Sequence, residues 1–211
     1  MTHSRKYHFL IEQRPVMAQP AARHSPDPRT RARRRPDRRR PGGTTRTRPP
    51  NLTHSSTDDL VVFHIGMTIH QPWRPDLWLP VAASMPRMLA ELARNRAAHE
   101  RGEAEDLGFL GAETLMGGKG PWVVQYWKSI EHLYAYSRMS SRAHLPAWKT
   151  FNTAARKHPG AVGIWHETYA VPATGIETFY GNGAQLGLAK AVGSAPLASR
   201  GRTARDRLGT S

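Results

Sequence analysis

Val61, Phe63, Ile65, Met67 and Ile69 lie on one face of a run that is apolar almost throughout, the pattern of a buried strand. Pro72, Pro75 and Asp76 end it. Trp78, Val81, Met85, Met88, Leu89 and Leu92 then recur at three- and four-residue spacing, which predicts an amphipathic helix running to about Ala97. Pro80 suits its first turn, whereas Pro86 implies a kink or two consecutive pieces. The charged stretch from His99 to Asp106 reads as a loop. Leu107 to Met116 and Trp122 to Trp127 are apolar runs around Gly117-Gly118-Lys119-Gly120-Pro121, which predicts a hairpin. Ser129 is placed to cap a short helix marked by Ile130, Leu133, Tyr134 and Ser137. Leu145, Trp148, Phe151 and Ala155 mark another, closed by His158, Pro159 and Gly160. Ala161 to Val171 is a fourth strand, and Glu177 to Tyr180 a fifth short one after the turn at Pro172–Gly175.

Strand, helix, strand, strand, helices, strand is the ferredoxin-like βαββαβ order of an α+β fold. Helices on one face leave the other face of such a sheet bare. Here both faces are apolar, since Trp122, Val124 and Tyr126 alternate with Val123, Gln125 and Trp127. A second copy related by a two-fold axis is the simplest cover, so the expected assembly is a homodimer.

Composition divides the chain into three parts: residues 1–57, the domain at 58–190, and a basic, partly ordered tail at 191–211. The net charge of +15 is uneven: residues 1–57 carry 14 Lys/Arg against 3 Asp/Glu, and the remainder only 17 against 13. From Ala21 to Pro50 the sequence is mostly Arg, Pro, Thr and Gly, too poor in apolar groups to offset the entropy of ordering, and a disordered extension is expected. Three readings of it stand: weak polyanion binding through the Arg runs, a targeting peptide, or an extension from a start codon placed too far upstream. The chain has no cysteine, which removes disulfides, thiolate metal sites and a cysteine nucleophile. No run approaches the roughly 18 apolar residues that cross a bilayer, and HFLI at 8–11 is too short for a secretory core, so no membrane partner and a cytoplasmic location are expected.

Five blocks occur in order: Val62-Phe63-His64-Ile65-Gly66-Met67, Pro86-Arg87-Met88-Leu89, Val124-Gln125-Tyr126-Trp127-Lys128-Ser129, His144 to Asn152, and Gly163-Ile164-Trp165-His166-Glu167-Thr168-Tyr169. Together they resemble a small monooxygenase-like family that includes a fungal fumagillin-pathway member, over roughly residues 58–190. The resemblance implies the dimeric α/β barrel, with a pocket between sheet and helices. It also implies oxidation of an apolar or aromatic small molecule, without a cofactor or, as the alternative, haem binding or modification on the same fold. A non-catalytic ligand-binding dimer is the third reading.

His144 and His166 are the candidate catalytic residues. His144 opens a helix, and the resemblance makes it an iron ligand only if haem is bound; no other metal site is expected. His166 and Glu167 are neighbours in a strand and point to opposite faces, so they form no dyad. Whichever faces the helices reaches the pocket, where an imidazole, with an ordinary pKa of about 6.5, suits general-base work. Glu167 reads as structural. Trp127, Trp148, Trp165 and Tyr169 are candidate substrate-binding rings, each of which also fits the core, and Asn152 and Gln125 are candidate polar contacts. Gly117-Gly118-Lys119-Gly120 is no phosphate loop, because Pro121 and a strand follow where Ser or Thr and a helix are needed.

Overall fold

The computed structural model describes residues 48–139, 144–201 and 203–208; the side chains of residues 144–148, 150 and 154 lie outside that description. Among these residues the elements run β1 (Leu52–His54), β2 (Leu60–Ile69), α1 (Pro75–Ala82), α2 (Ser84–Glu100), β3 (Phe109–Gly117), β4 (Gly120–Trp127), α3 (Ile130–Arg138), α4 (His144–Lys157), β5 (Val162–Val171), α5 (Gly187–Val192), β6 (Ser194–Pro196) and α6 (Ala204–Arg207). β2, β3, β4 and β5 form an antiparallel sheet in the order β3-β4-β2-β5. With helices in both connections, this is the ferredoxin-like βαββαβ arrangement expected from the sequence.

Local chemistry explains most of the boundaries. Gly118 and Lys119 make a two-residue turn between β3 and β4, and the Lys119 carbonyl accepts from the Ile69 amide at 2.8 Å, tying the hairpin to β2. Ser129 caps α3, its hydroxyl accepting from the His132 amide. The helical stretch over the sheet divides at Ala83, earlier than Pro86 suggests, so that Pro86 falls in the first turn of α2 where a missing N–H costs little. Pro80, expected in a first turn, sits inside α1, because that helix begins five residues before it, on Pro75.

The helix-facing side of the sheet carries the main core. Trp127 and Leu92 have no exposed surface, and Val61, Leu107, Phe109, Leu133 and Tyr136 pack around them. Trp127 and Phe109 meet edge to face at 5.4 Å.

Two expectations are corrected. Glu177 to Tyr180 is no strand; Tyr180 makes a lone bridge to Leu52. Residues 48–57, assigned from composition to the disordered extension, belong to the fold. β1 pairs antiparallel with β6, and Thr53 and His54 are buried against Thr178, whose hydroxyl bonds both side chains. A three-residue strand with no apolar alternation leaves no periodic signal, which is why composition missed it.

The chain also covers part of the second sheet face itself. Leu60, Val62 and Tyr126 pack against Ile176, Leu188 and Val192 from the segment after β5. The premise that this face is bare therefore holds only for the strip that carries His64, Trp122, Trp165, Glu167 and Tyr169.

Candidate functional site

β2 presents Phe63, Ile65 and Met67 toward the helices, and the register fixes what lies beside them. Phe63 is opposite Thr168, Ile65 opposite His166 and Met67 opposite Ile164 on β5; Ile65 is also opposite Val123 on β4. These side chains floor a cavity of about 890 Å³ whose roof is Val81 of α1, Met85, Met88 and Leu89 of α2, and Leu133 and Ser137 of α3. The cavity exists because the helices above it put small or flexible side chains over the sheet, while the bulkier Trp127 fills the core alongside.

Among the described lining residues there is no Asp, Glu, Lys or Arg, and His166 is the one imidazole. The other lining residues with polar side chains are Ser84, Thr114, Tyr134, Ser137 and Thr168, which carry hydroxyls, and Trp122, which carries an indole N–H. The His166 ring lies 5.7 Å from that of Phe63, tilted by 40°, and the residue is exposed. It makes no hydrogen bond or ion pair with a described residue, so its nitrogens are free to meet a ligand.

Glu167 lies on the opposite face. There its carboxylate accepts from the Tyr169 hydroxyl at 2.7 Å and comes within 3.9 Å of His64 Nδ1. The bond to Glu167 holds the Tyr169 phenol above its usual pKa. Trp165 is on that face too, meeting Trp122 edge to face at 6.0 Å across Gly66. A Cβ at Gly66 would come within 2.5 Å of the Trp165 indole, so the pair needs a glycine there.

The candidate residues are thus dispersed. His166 lines the cavity. Trp127 is sealed in the core, its indole N–H donating to Gln125 Oε1 at 3.0 Å. Trp165 and Tyr169 are on the far face, and Asn152 is half-buried on α4 away from the lining. His144 begins α4, but its side chain and that of Trp148 lie outside the described ones. The sequence reading did not single out Phe63, Thr114, Thr168, Met85 or Met88 as site residues. The threonines look like ordinary strand residues until the register is known, and the methionines like ordinary core.

The lining is a poor fit for haem. It offers one imidazole, and among its described residues no Lys or Arg to pair with the haem carboxylates. No group of three or more His, Asp or Glu able to hold a metal ion occurs among the described residues, and no described helix is long and apolar enough to cross a membrane.

Comparison with known proteins gives one clear assignment. The monooxygenase af470 of Aspergillus fumigatus is 28% identical over 130 residues, which are 58% of this chain and 42% of that protein. The chain therefore spans less than half the length of that relative. Among solved structures, SnoaB, a cofactor-independent oxygenase from Streptomyces nogalater, overlaps with 54% of this chain and 93% of its own at 15% identity and a TM-score of 0.36. A putative antibiotic biosynthesis monooxygenase from Chloroflexus aurantiacus overlaps with 58% of this chain and 99% of its own at 16% identity and a TM-score of 0.34. Overlaps of this size carry nothing for the chemistry. The family model for Monooxygenase af470-like proteins matches residues 60–188, more than half of the chain, and the protein belongs to that family.

Proposed function

We propose that this chain is a small oxygenase that takes an apolar or aromatic molecule into the cavity between sheet and helices and uses His166 as its base. The observation that carries the reading is the isolation of His166, the one imidazole in a lining with no ionised side chain among its described residues. An imidazole free of hydrogen bonds and ion pairs to described residues, in a lining otherwise without charge, is suited to removing a proton from a weakly acidic C–H or phenolic O–H. Family membership supports oxygen as the co-reactant.

The chemistry balances without a cofactor when the substrate supplies all the electrons. His166 takes a proton from an activated CH2 group, and the carbanion reduces oxygen and forms a C–O bond. Loss of the second hydrogen with cleavage of the O–O bond then leaves a carbonyl and one water. Four electrons leave the substrate carbon and none is needed from elsewhere. The hydroxyl of Thr168, on the same face of β5 as His166, is the donor available to an oxyanion.

The catalytic unit in this reading is a homodimer. The open strip of the second sheet face, with Trp122, Trp165 and the exposed Leu115 and Tyr169, is the surface available to a second copy.

The test is turnover of activated CH2 substrates by the full chain, followed as oxygen consumption with stoichiometric ketone. His166→Ala should abolish turnover while the substrate still binds. Turnover unchanged in that variant would overturn the role of His166, and a demand for added flavin or haem would overturn the cofactor-free route.

A further inference from the structure

His166, Ile65, Val123 and Thr114 form one straight row across the sheet. His166 is opposite Ile65, Ile65 opposite Val123, and Val123 opposite Thr114, on the four strands β5, β2, β4 and β3 in turn. All four line the cavity. Three inter-strand steps of about 4.8 Å make the row about 14 Å long. Its two polar members stand on the two edge strands and are exposed, and its two apolar members lie between them. The cavity floor is therefore a trough crossing the whole sheet, and this row of it is polar only at its two exposed ends, while the helices above add the hydroxyls of Ser84, Tyr134 and Ser137.

The two ends differ. At the β5 end Phe63 sets a ring beside His166, and the Thr168 hydroxyl is opposite Phe63 on the next row. That end suits a planar, ionisable head. Toward β3 the floor is aliphatic, with Val123 and Pro121, and the lining includes the thioether side chains of Met85, Met67 and Met88. Unbranched methionines adapt to a flexible chain better than to a rigid ring system.

We infer that the trough is built for an elongated molecule with a planar ionisable head at His166 and Phe63 and an uncharged aliphatic chain running along Ile65 and Val123 to Thr114. The inference rests on the cavity being the substrate site. It adds the shape of the ligand and names Thr114 as the residue where the enclosed part of the chain ends. Because the β3 end opens to solvent, a chain that outgrows the trough is not rejected; its excess stays in water.

The test is calorimetric titration of the full chain with phenols bearing a para n-alkyl chain, from methyl to octyl. Each methylene enclosed in the trough should tighten binding about fourfold. The increments should cease once the chain reaches Thr114. Thr114→Trp, on an exposed edge-strand position, should make them cease at a shorter chain. Affinity independent of chain length would overturn the inference, as would an unaltered break point in Thr114→Trp. The two readings fail separately. Chain-length dependence without turnover of any activated substrate would sink the oxygenase and keep the trough, and turnover with flat affinities would do the reverse.

Discussion

The indole N–H of Trp127 donates to Gln125 Oε1 at 3.0 Å, and both side chains are fully buried. The Gln125 amide nitrogen in turn faces Met85 Sδ at 4.0 Å, so this pair lies between the core and the cavity roof. A buried polar pair of this kind is worth most when neither partner is removed alone. Gln125→Leu should therefore cost about 1–3 kcal/mol by orphaning the indole donor. Trp127→Phe should cost more, since it adds a packing loss to an orphaned amide oxygen. The double variant should cost less than the sum by at least about 0.5 kcal/mol, read from urea denaturation. Strict additivity would show that the bond contributes nothing.

Gly66 allows the Trp122 and Trp165 indoles to approach across β2. Gly66→Ala would place a Cβ 2.5 Å from one ring and 2.8 Å from the Cβ of the other residue. The expected cost is about 1–3 kcal/mol, with a loss of near-ultraviolet circular dichroism as the Trp165 ring is displaced. Retained stability and an unchanged spectrum would show that the indole moves aside freely.

His54 is buried beside Thr178, and burial, then the nearby Arg200 charge, hold its imidazole below the usual histidine pKa, against a smaller upward pull from Glu177. A depressed pKa means that the unfolded chain takes up this proton first as pH falls. The contribution of His54 is complete above the unfolded-state pKa of about 6.5 and declines below it, until pH passes the folded value. His54→Asn should flatten the loss of stability as pH falls below about 6.5 relative to the parent chain. An identical pH profile in the two proteins would move the effect to another group.

Leu115 is 40% exposed on the strip of the second sheet face that the C-terminal segment leaves open. If a second copy covers the strip, sedimentation of the full chain should give a dimer. Leu115→Arg should then shift it to monomer without lowering the melting temperature of the subunit. A monomeric parent protein would remove the dimer from the proposal.

The order of the main elements was legible because hydrophobic period changes cleanly along the chain, from two in Val61–Ile69 to three and four in Trp78–Leu92. The opposite facing of His166 and Glu167 was legible for the same reason. Which of the two meets the helices was not, because both faces of the sheet are apolar and strand alternation fixes parity without fixing direction. Trp127 fits the core better than a ligand site on its pattern alone, and Gln125, Leu92 and Tyr136 around it decide for the core. The row from His166 to Thr114 depends on three pairings, the longest of them between Ile65 and His166, 101 positions apart in sequence, and no local pattern records them.

The pairing of β1 with β6 has a mechanical consequence. Leu52 stands opposite Pro196 and His54 opposite Ser194, so the chain enters β1 and leaves β6 at the same end of the ladder. A pull on the two ends of the protein would load this ladder as a zipper, opening one bond pair at a time, where a shear geometry would strain all of them together. Once the Arg207–Glu177 pair beyond β6 has parted, the small sheet would yield before tension reached β2 and β5. The clasp that joins the two ends of the fold is thus also a fuse, which shields the cavity-bearing sheet from load on either terminus.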